Sequence, residues 1–170
     1  MVVPRAWVLY KADVVMRDSD ICPMARTVTP IHSKKARRRE PIRMAFVLVP
    51  QFPMLAFASA IEPLRIANRV IGEPAYTWAL AGEGGEWATC SNGTAFKLDM
   101  GLDEIERDDI LLTCGGIDVQ KAATKPVLNW LRREARRGVI IGGLCTGAYA
   151  LAKAGLLDGK KATIHWENQD

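Results

Sequence analysis

The chain has 170 residues, 49% of them hydrophobic and 25% charged, with a formal net charge of +4. That suffices for one globular domain with a sizeable core. No apolar run reaches the ~18 residues of a membrane span, the first residues make a poor signal peptide, and the four cysteines (Cys22, Cys90, Cys114, Cys145) include no C-x-x-C pair. These features argue against membrane-embedded, disulfide-stapled and zinc-finger classes. They predict a cytoplasmic protein that uses neither metal nor cofactor and has no membrane partner.

The charge is uneven. Residues 1–43 hold ten Lys/Arg against four Asp/Glu, whereas residues 44–170 hold 13 against 15. The basic excess centres on KKARRR (Lys34 to Arg39), which could grip phosphates or form a solvated tail. Lacking helical periodicity or a turn-bounded strand, residues 1–42 are expected to be a disordered basic leader, with Met44 near an alternative start.

Order is predicted from Met44 onward. MAFVLV (Met44 to Val49) is a short apolar run of the kind buried on both faces of a sheet. Pro50 and Pro53 end it. Leu55 to Val70 carries a helical stripe at Leu55, Ala58, Ile61, Leu64 and either Ile66 or Ala67, with a kink or restart expected at Pro63. Tyr76 to Ala81 reads as a strand, and SNG (Ser91 to Gly93) as a tight turn in a Gly-rich stretch. Ile110 to Thr113 is a further buried strand running into Cys114-Gly115-Gly116.

Thr124 caps the next helix, with Pro126 in its first turn. Val127, Leu128, Leu131 and Ala135 form its inner face, leaving Arg132, Arg133, Arg136 and Arg137 as a solvated outer face. Gly138 ends it. A strand at Val139 to Ile141, a helix at Gly147 to Ala154 and a strand at Lys161 to His165 follow.

Alternating strands and helices predict an α/β fold: a mostly parallel sheet with helices on both faces. Ligands in such sheets bind beyond the carboxyl ends of the strands. GLCTG (Gly143 to Gly147) lies at one such end, with Gly115-Gly116 at another. The spacing of glycines about Cys145 follows the logic of the nucleophile elbow G-x-S-x-G, where a strained strand-to-helix turn raises one side chain above the sheet. A thiol at a helix N-terminus can be a nucleophile; it can equally be a small buried hydrophobe. If the two strands are neighbours, the amides after Cys114 and Cys145 face one pocket, an oxyanion hole or anion nest.

Three separated blocks, FASAIEPLRIANR (Phe57 to Arg69), the strand plus GG at Leu111 to Gly116, and GLCTGAYALAKAGLLDGKKATIHWE (Gly143 to Glu167), resemble the ThiJ/PfpI superfamily. Its fold is flavodoxin-like, of the class I glutamine amidotransferase type. The first and third blocks look most like the N-terminal sensor domains of AraC-type transcription regulators, and the resemblance covers residues 43–170. It implies an elbow cysteine at Cys145 and facing-loop glycines at Gly115 and Gly116.

Two departures from the enzymes of the superfamily stand out. PfpI-type enzymes have histidine after the cysteine, where this chain has Thr146. Many members carry an acid after the first strand, where this chain has Ala56; Glu62 is about six residues further on and an uncertain substitute. His165 is a possible base, but the His165-Trp166 pair also occurs in isocyanide hydratases of the superfamily and separates nothing.

The resemblance therefore implies a non-catalytic sensor domain. A small amino acid or amine-like metabolite would bind near Cys145, with Thr146, Gly115, Gly116, Glu62, His165 and Trp166 as the binding residues. It further implies a homodimer when full length, and DNA contact only through a C-terminal helix-turn-helix domain that this chain, expected to be C-terminally truncated, lacks. The alternative is a cysteine-dependent hydrolase or isocyanide hydratase with Cys145 as nucleophile. A third is a basic-arm DNA binder using Lys34 to Arg39.

Overall fold

The computed structural model describes residues 40–103 and 105–165, all within one compact unit. The leader, KKARRR and Trp166 lie outside the described residues.

Four parallel strands form the central sheet: β1 (Ile42–Leu48), β2 (Tyr76–Ala81), β5 (Ile110–Gly115) and β6 (Ile140–Cys145), in the order β2-β1-β5-β6. A short antiparallel hairpin, β3 (Trp87–Thr89) and β4 (Ala95–Lys97), stands apart. The helices are α1 (Met54–Ile71), α2 (Val119–Ala122), α3 (Lys125–Arg137) and α4 (Gly147–Lys153). The chain leaves β1 for β2 on one side and later returns to β5 on the other. The strand order therefore reverses between β1 and β5, which places a crevice at their carboxyl ends.

Each strand alternates its side chains between two cores. Ala45, Val47, Val49 and Leu111 point to one face, where α3 and α4 supply Val127, Leu128, Leu131, Ala150 and Leu151. Phe46, Leu48 and Cys114 point to the other, where α1 supplies Phe57 and the hairpin supplies Ala88, with Leu98 just after it. Both faces of β1 are shut, which is why it reads as an unbroken apolar run.

The α/β layering, the four parallel strands and the Thr124 cap, which accepts from the Val127 amide at 3.4 Å, follow the sequence reading. Several details differ from it. The hairpin and α2 are additional; three residues per strand is too short a run to carry a period. α1 runs unbroken through Pro63, because Pro63 is exposed and the Ser59 carbonyl it deprives of an N–H belongs to an exposed residue on the same side. The inward stripe of α1 is anchored by Phe57, with Ile61 and Leu64, whereas Leu55 faces out.

Lys161 to His165 is not a strand: these residues join no ladder among the described residues, since extended chain becomes a strand only when a neighbour pairs with it. Finally, the arginines of α3 are not simply solvated. Arg132 donates to the carbonyls of Lys153 and Ala154 at the C-terminus of α4, and Arg133 and Arg137 clasp the fully buried Glu134, each at 2.7 Å.

Candidate functional site

β5 and β6 are neighbours, with Gly115 in register with Cys145. The two loops singled out by the sequence therefore do meet at one sheet edge. Cys145 ends β6 at φ 54°, in the left-handed region that a residue with a Cβ seldom adopts. The next residue begins the turn into α4. This is the geometry of an elbow, and the thiol is half-buried at its crest.

Close backbone approach explains the flanking glycines. The Cα of Gly147 sits against the carbonyl of Thr113 so closely that a methyl there would overlap it. A methyl on Gly115 would lie 2.5 Å from the Gly147 amide nitrogen, and one on Gly116 would run into the Gln51 carbonyl. The Thr146 hydroxyl, buried in the turn, donates to the Gly116 carbonyl at 2.9 Å and ties the β5 and β6 loops together.

Gln51, just after β1, completes the arrangement. It too has positive φ, 65°, and its carbonyl accepts from the Ile117 amide at 3.2 Å. Asp118, at φ 54°, is the third such residue. All three non-glycine residues with positive φ among the described residues thus lie at or just beyond the carboxyl ends of β1, β5 and β6. Strain concentrated at one rim marks a site. Sequence reasoning missed Gln51 and Asp118; the dipeptide Pro50-Gln51 before Pro53 was the available signal for the first.

Cys114 stands one residue before Gly115 on the buried side. Burial pushes its thiol up to about 12, and the nearby Cys145 adds to the shift. Cys114 is therefore a neutral core group beneath the elbow, not a second nucleophile.

The structure gathers Cys145, Thr146, Gly115 and Gly116. It does not bring Glu62 to them. Helical phase puts Ile61 inward and Glu62 outward, where Arg65 binds its carboxylate at 2.7–2.8 Å and holds it below the usual carboxylate range. His165 is half-buried in the irregular segment that follows α4. A groove lined by Leu102, Pro126, Trp130 and Arg133 shares no residue with the elbow. Among the described residues no cluster of three His, Cys, Asp or Glu could hold a metal, and no helix is long and apolar enough to cross a membrane.

Residues 47–170 match the DJ-1/PfpI family model. The chain belongs to the DJ-1/PfpI family. Within that family it is 41% identical over 125 residues to the HTH-type transcriptional regulator CdhR of Pseudomonas aeruginosa, covering 74% of this chain and 37% of that one. It is 37% identical over 131 residues to the HTH-type transcriptional regulator GbdR of the same species, covering 77% and 36%. The chain thus spans little more than a third of these curated relatives. A crystal structure of an AraC family transcriptional regulator from Pseudomonas putida superposes with a TM-score of 0.64 at 27% identity, over 76% of this chain and 69% of that one. The DJ-1/PfpI fold also serves enzymes: isonitrile hydratase of Pseudomonas putida is 31% identical over 83 residues, 48% of this chain and 36% of the enzyme.

Proposed function

We propose that residues 43–170 form the ligand-sensing part of an AraC-type transcription regulator, with residues 1–42 outside that domain. A small metabolite binds at the rim formed by Gln51, Gly115, Gly116 and Cys145. Its occupancy controls DNA binding by a separate helix-turn-helix domain, in the cytoplasm.

The observation that carries this reading is the state of the elbow. Its geometry is kept at φ 54°, while Thr146 and Ala56 stand where the resemblance puts the histidine of PfpI-type enzymes and the acid of many members. The Thr146 hydroxyl is spent on the Gly116 carbonyl, Ala56 can neither accept a proton nor orient a thiol, and Glu62 is turned to solvent and paired with Arg65. Nucleophilic catalysis needs a base or a charge beside the nucleophile. A rim of close-packed backbone amides needs neither to bind a carboxylate. The identities to HTH-type regulators support the same reading.

A hydratase reading has the retained elbow and the isonitrile hydratase identity in its favour. Thermal-shift titration against amino acids and quaternary amines separates the two. The sensor reading expects one class to raise the melting temperature, an effect abolished by Cys145→Phe, which fills the rim. Turnover of an ester, amide or isonitrile that vanishes in Cys145→Ser overturns it.

A further inference from the structure

Arginines crowd the second half of α3, and two of them have plain structural tasks. Arg132 donates to the Lys153 and Ala154 carbonyls at the end of α4. Arg137 binds the buried Glu134 at 2.7 Å. Arg136 is different. It is exposed, and among the described residues its guanidinium has neither an ion pair nor a hydrogen bond.

Arg136 stands instead at a groove of about 330 Å³, lined by Leu102, Pro126, Asn129, Trp130, Arg133 and Arg136. All but Leu102 come from α3, at spacings of three, one, three and three residues, so they share one side of the helix. The lining is graded along the helix axis. Pro126 and Trp130 make the half toward the start of α3 apolar, and Arg133 and Arg136 make the half toward its end cationic. Leu102 supplies the opposite wall.

Both halves are held in place. The Trp130 indole Nε1 donates to the Asp103 carbonyl at 2.7 Å, which fixes the ring. Arg133 donates from Nε to Glu134 at 2.7 Å and from Nη2 to the Leu102 carbonyl at 3.3 Å. These two bonds orient its guanidinium and leave Nη1 without a partner among the described residues. The cationic end is also short of carboxylates. Glu134 already serves Arg133 and Arg137 together, and Asp103 turns its carboxylate back on the Gly101 amide at 3.0 Å.

We propose that this groove binds a small amphipathic carboxylate, aromatic or medium-chain aliphatic. Its apolar body lies on Pro126, Trp130 and Leu102, and its carboxylate sits between Arg133 and Arg136. Charge complementarity names this occupant. A guanidinium fixed at two points is preorganised for a planar oxyanion, and a second arginine three residues along the helix adds donors to the same group. An inorganic anion would leave the apolar half uncovered, and a neutral apolar molecule would make no use of the cations. The volume lies near the lower end of the ~300–1,000 Å³ of ligand pockets, which suits a molecule the size of 3-phenylpropionate. The groove is largely open to solvent, so the affinity is modest, with a dissociation constant in the high-micromolar to millimolar range. The groove shares no residue with the elbow, and the proposal does not depend on what binds there.

Titration of the 170-residue chain with 3-phenylpropionate, followed through the indole N–H signals in nitrogen-proton correlation spectra, tests it. The Trp130 signal is expected to shift saturably. Arg136→Glu, with unchanged circular dichroism, should weaken binding about tenfold, and 3-phenylpropanamide, which lacks the charge, should bind more weakly than the acid by a similar factor. Cys145→Phe should leave the Trp130 shift as it is. A Trp130 signal that never moves, or one whose shift Cys145→Phe abolishes, overturns the site. An amide that binds as tightly as the acid, or an Arg136→Glu chain that binds as tightly as wild type, overturns the recognition of a carboxylate.

Discussion

On the α1 face of the sheet, side chains meet side chains. Phe46, Phe52, Phe57 and Phe96 pack edge to face, with centroids 5.5–5.8 Å apart. On the opposite face, at the elbow, backbone meets backbone: Gly147 lies against the Thr113 carbonyl and Gly115 against the start of α4. Ring clusters tolerate some repacking, because neighbouring rotamers can shift. Backbone contacts at the ends of a sheet cannot, because moving one moves the strand. The molecule therefore holds its site with its stiffest contacts and its remaining core with adjustable ones.

Substitution sizes test that contrast. Gly147→Ala places a methyl inside the Thr113 carbonyl, so a loss of more than about 4 kcal/mol is expected, enough to abolish a cooperative unfolding transition. Phe57→Ala, which empties the middle of the ring cluster, is expected to cost about 3–5 kcal/mol while leaving a cooperative, weakened fold. Urea denaturation followed by tryptophan fluorescence measures both. A well-folded Gly147→Ala protein would show that the elbow adapts, and the contrast between the faces would fail.

The same contrast governs what could be read without coordinates. Strands buried on both faces announce themselves as apolar runs, so β1 and β5 were legible to within two residues at each end, and the edge strand β2 was legible as well. The elbow was legible because close backbone contact demands glycine, and glycine is visible in a sequence. The phase of α1 was not: with apolar residues on two sides, Leu55 and Phe57 compete for the inward position, and only the ring cluster decides between them. Glu134 was hidden for a related reason. Among four arginines it looks like one more surface charge, yet it is fully buried between Arg133 and Arg137. The left-handed turn at Asp118 left no mark, and the one at Gln51 only its flanking prolines, since neither residue is a glycine.

Titration sharpens the comparison from inside the core. Cys114 belongs to the α1 face but lies beneath the elbow, and burial pushes its thiol from the ordinary 9.0 to about 12. In the unfolded chain the thiol ionises above about pH 9, whereas in the folded protein it keeps its proton. Its contribution to stability is thus fully present below pH 9 and is lost as pH rises from 9 toward 12. By pH 10 the loss is about 1.4 kcal/mol. Other groups titrate in this range, so the quantity to measure is the stability difference between wild type and Cys114→Ala, which should be constant at neutral pH and shrink above about pH 9. A difference that stays flat to about pH 11 would mean that water reaches Cys114. Iodoacetamide at about pH 8 should label the half-exposed Cys145 well before Cys114.

The smallest expected effect has the opposite sign. Thr113 is fully buried on the backbone-packed face, and its hydroxyl has no hydrogen-bond partner among the described residues. Its register partner is Gly143, which leaves the Thr113 side chain facing a backbone pressed against α4. A buried hydroxyl without a partner carries the cost of its lost hydration and gains nothing in return. Valine has the same branched shape and the same preference for strands, but no such cost. Thr113→Val should therefore stabilise the protein by about 1 kcal/mol, seen as a higher urea midpoint with unchanged slope. Destabilisation of that size would show that the hydroxyl is satisfied in solution. The elbow face would then contain a polar contact as well as its backbone ones, and its rigidity would have a second source.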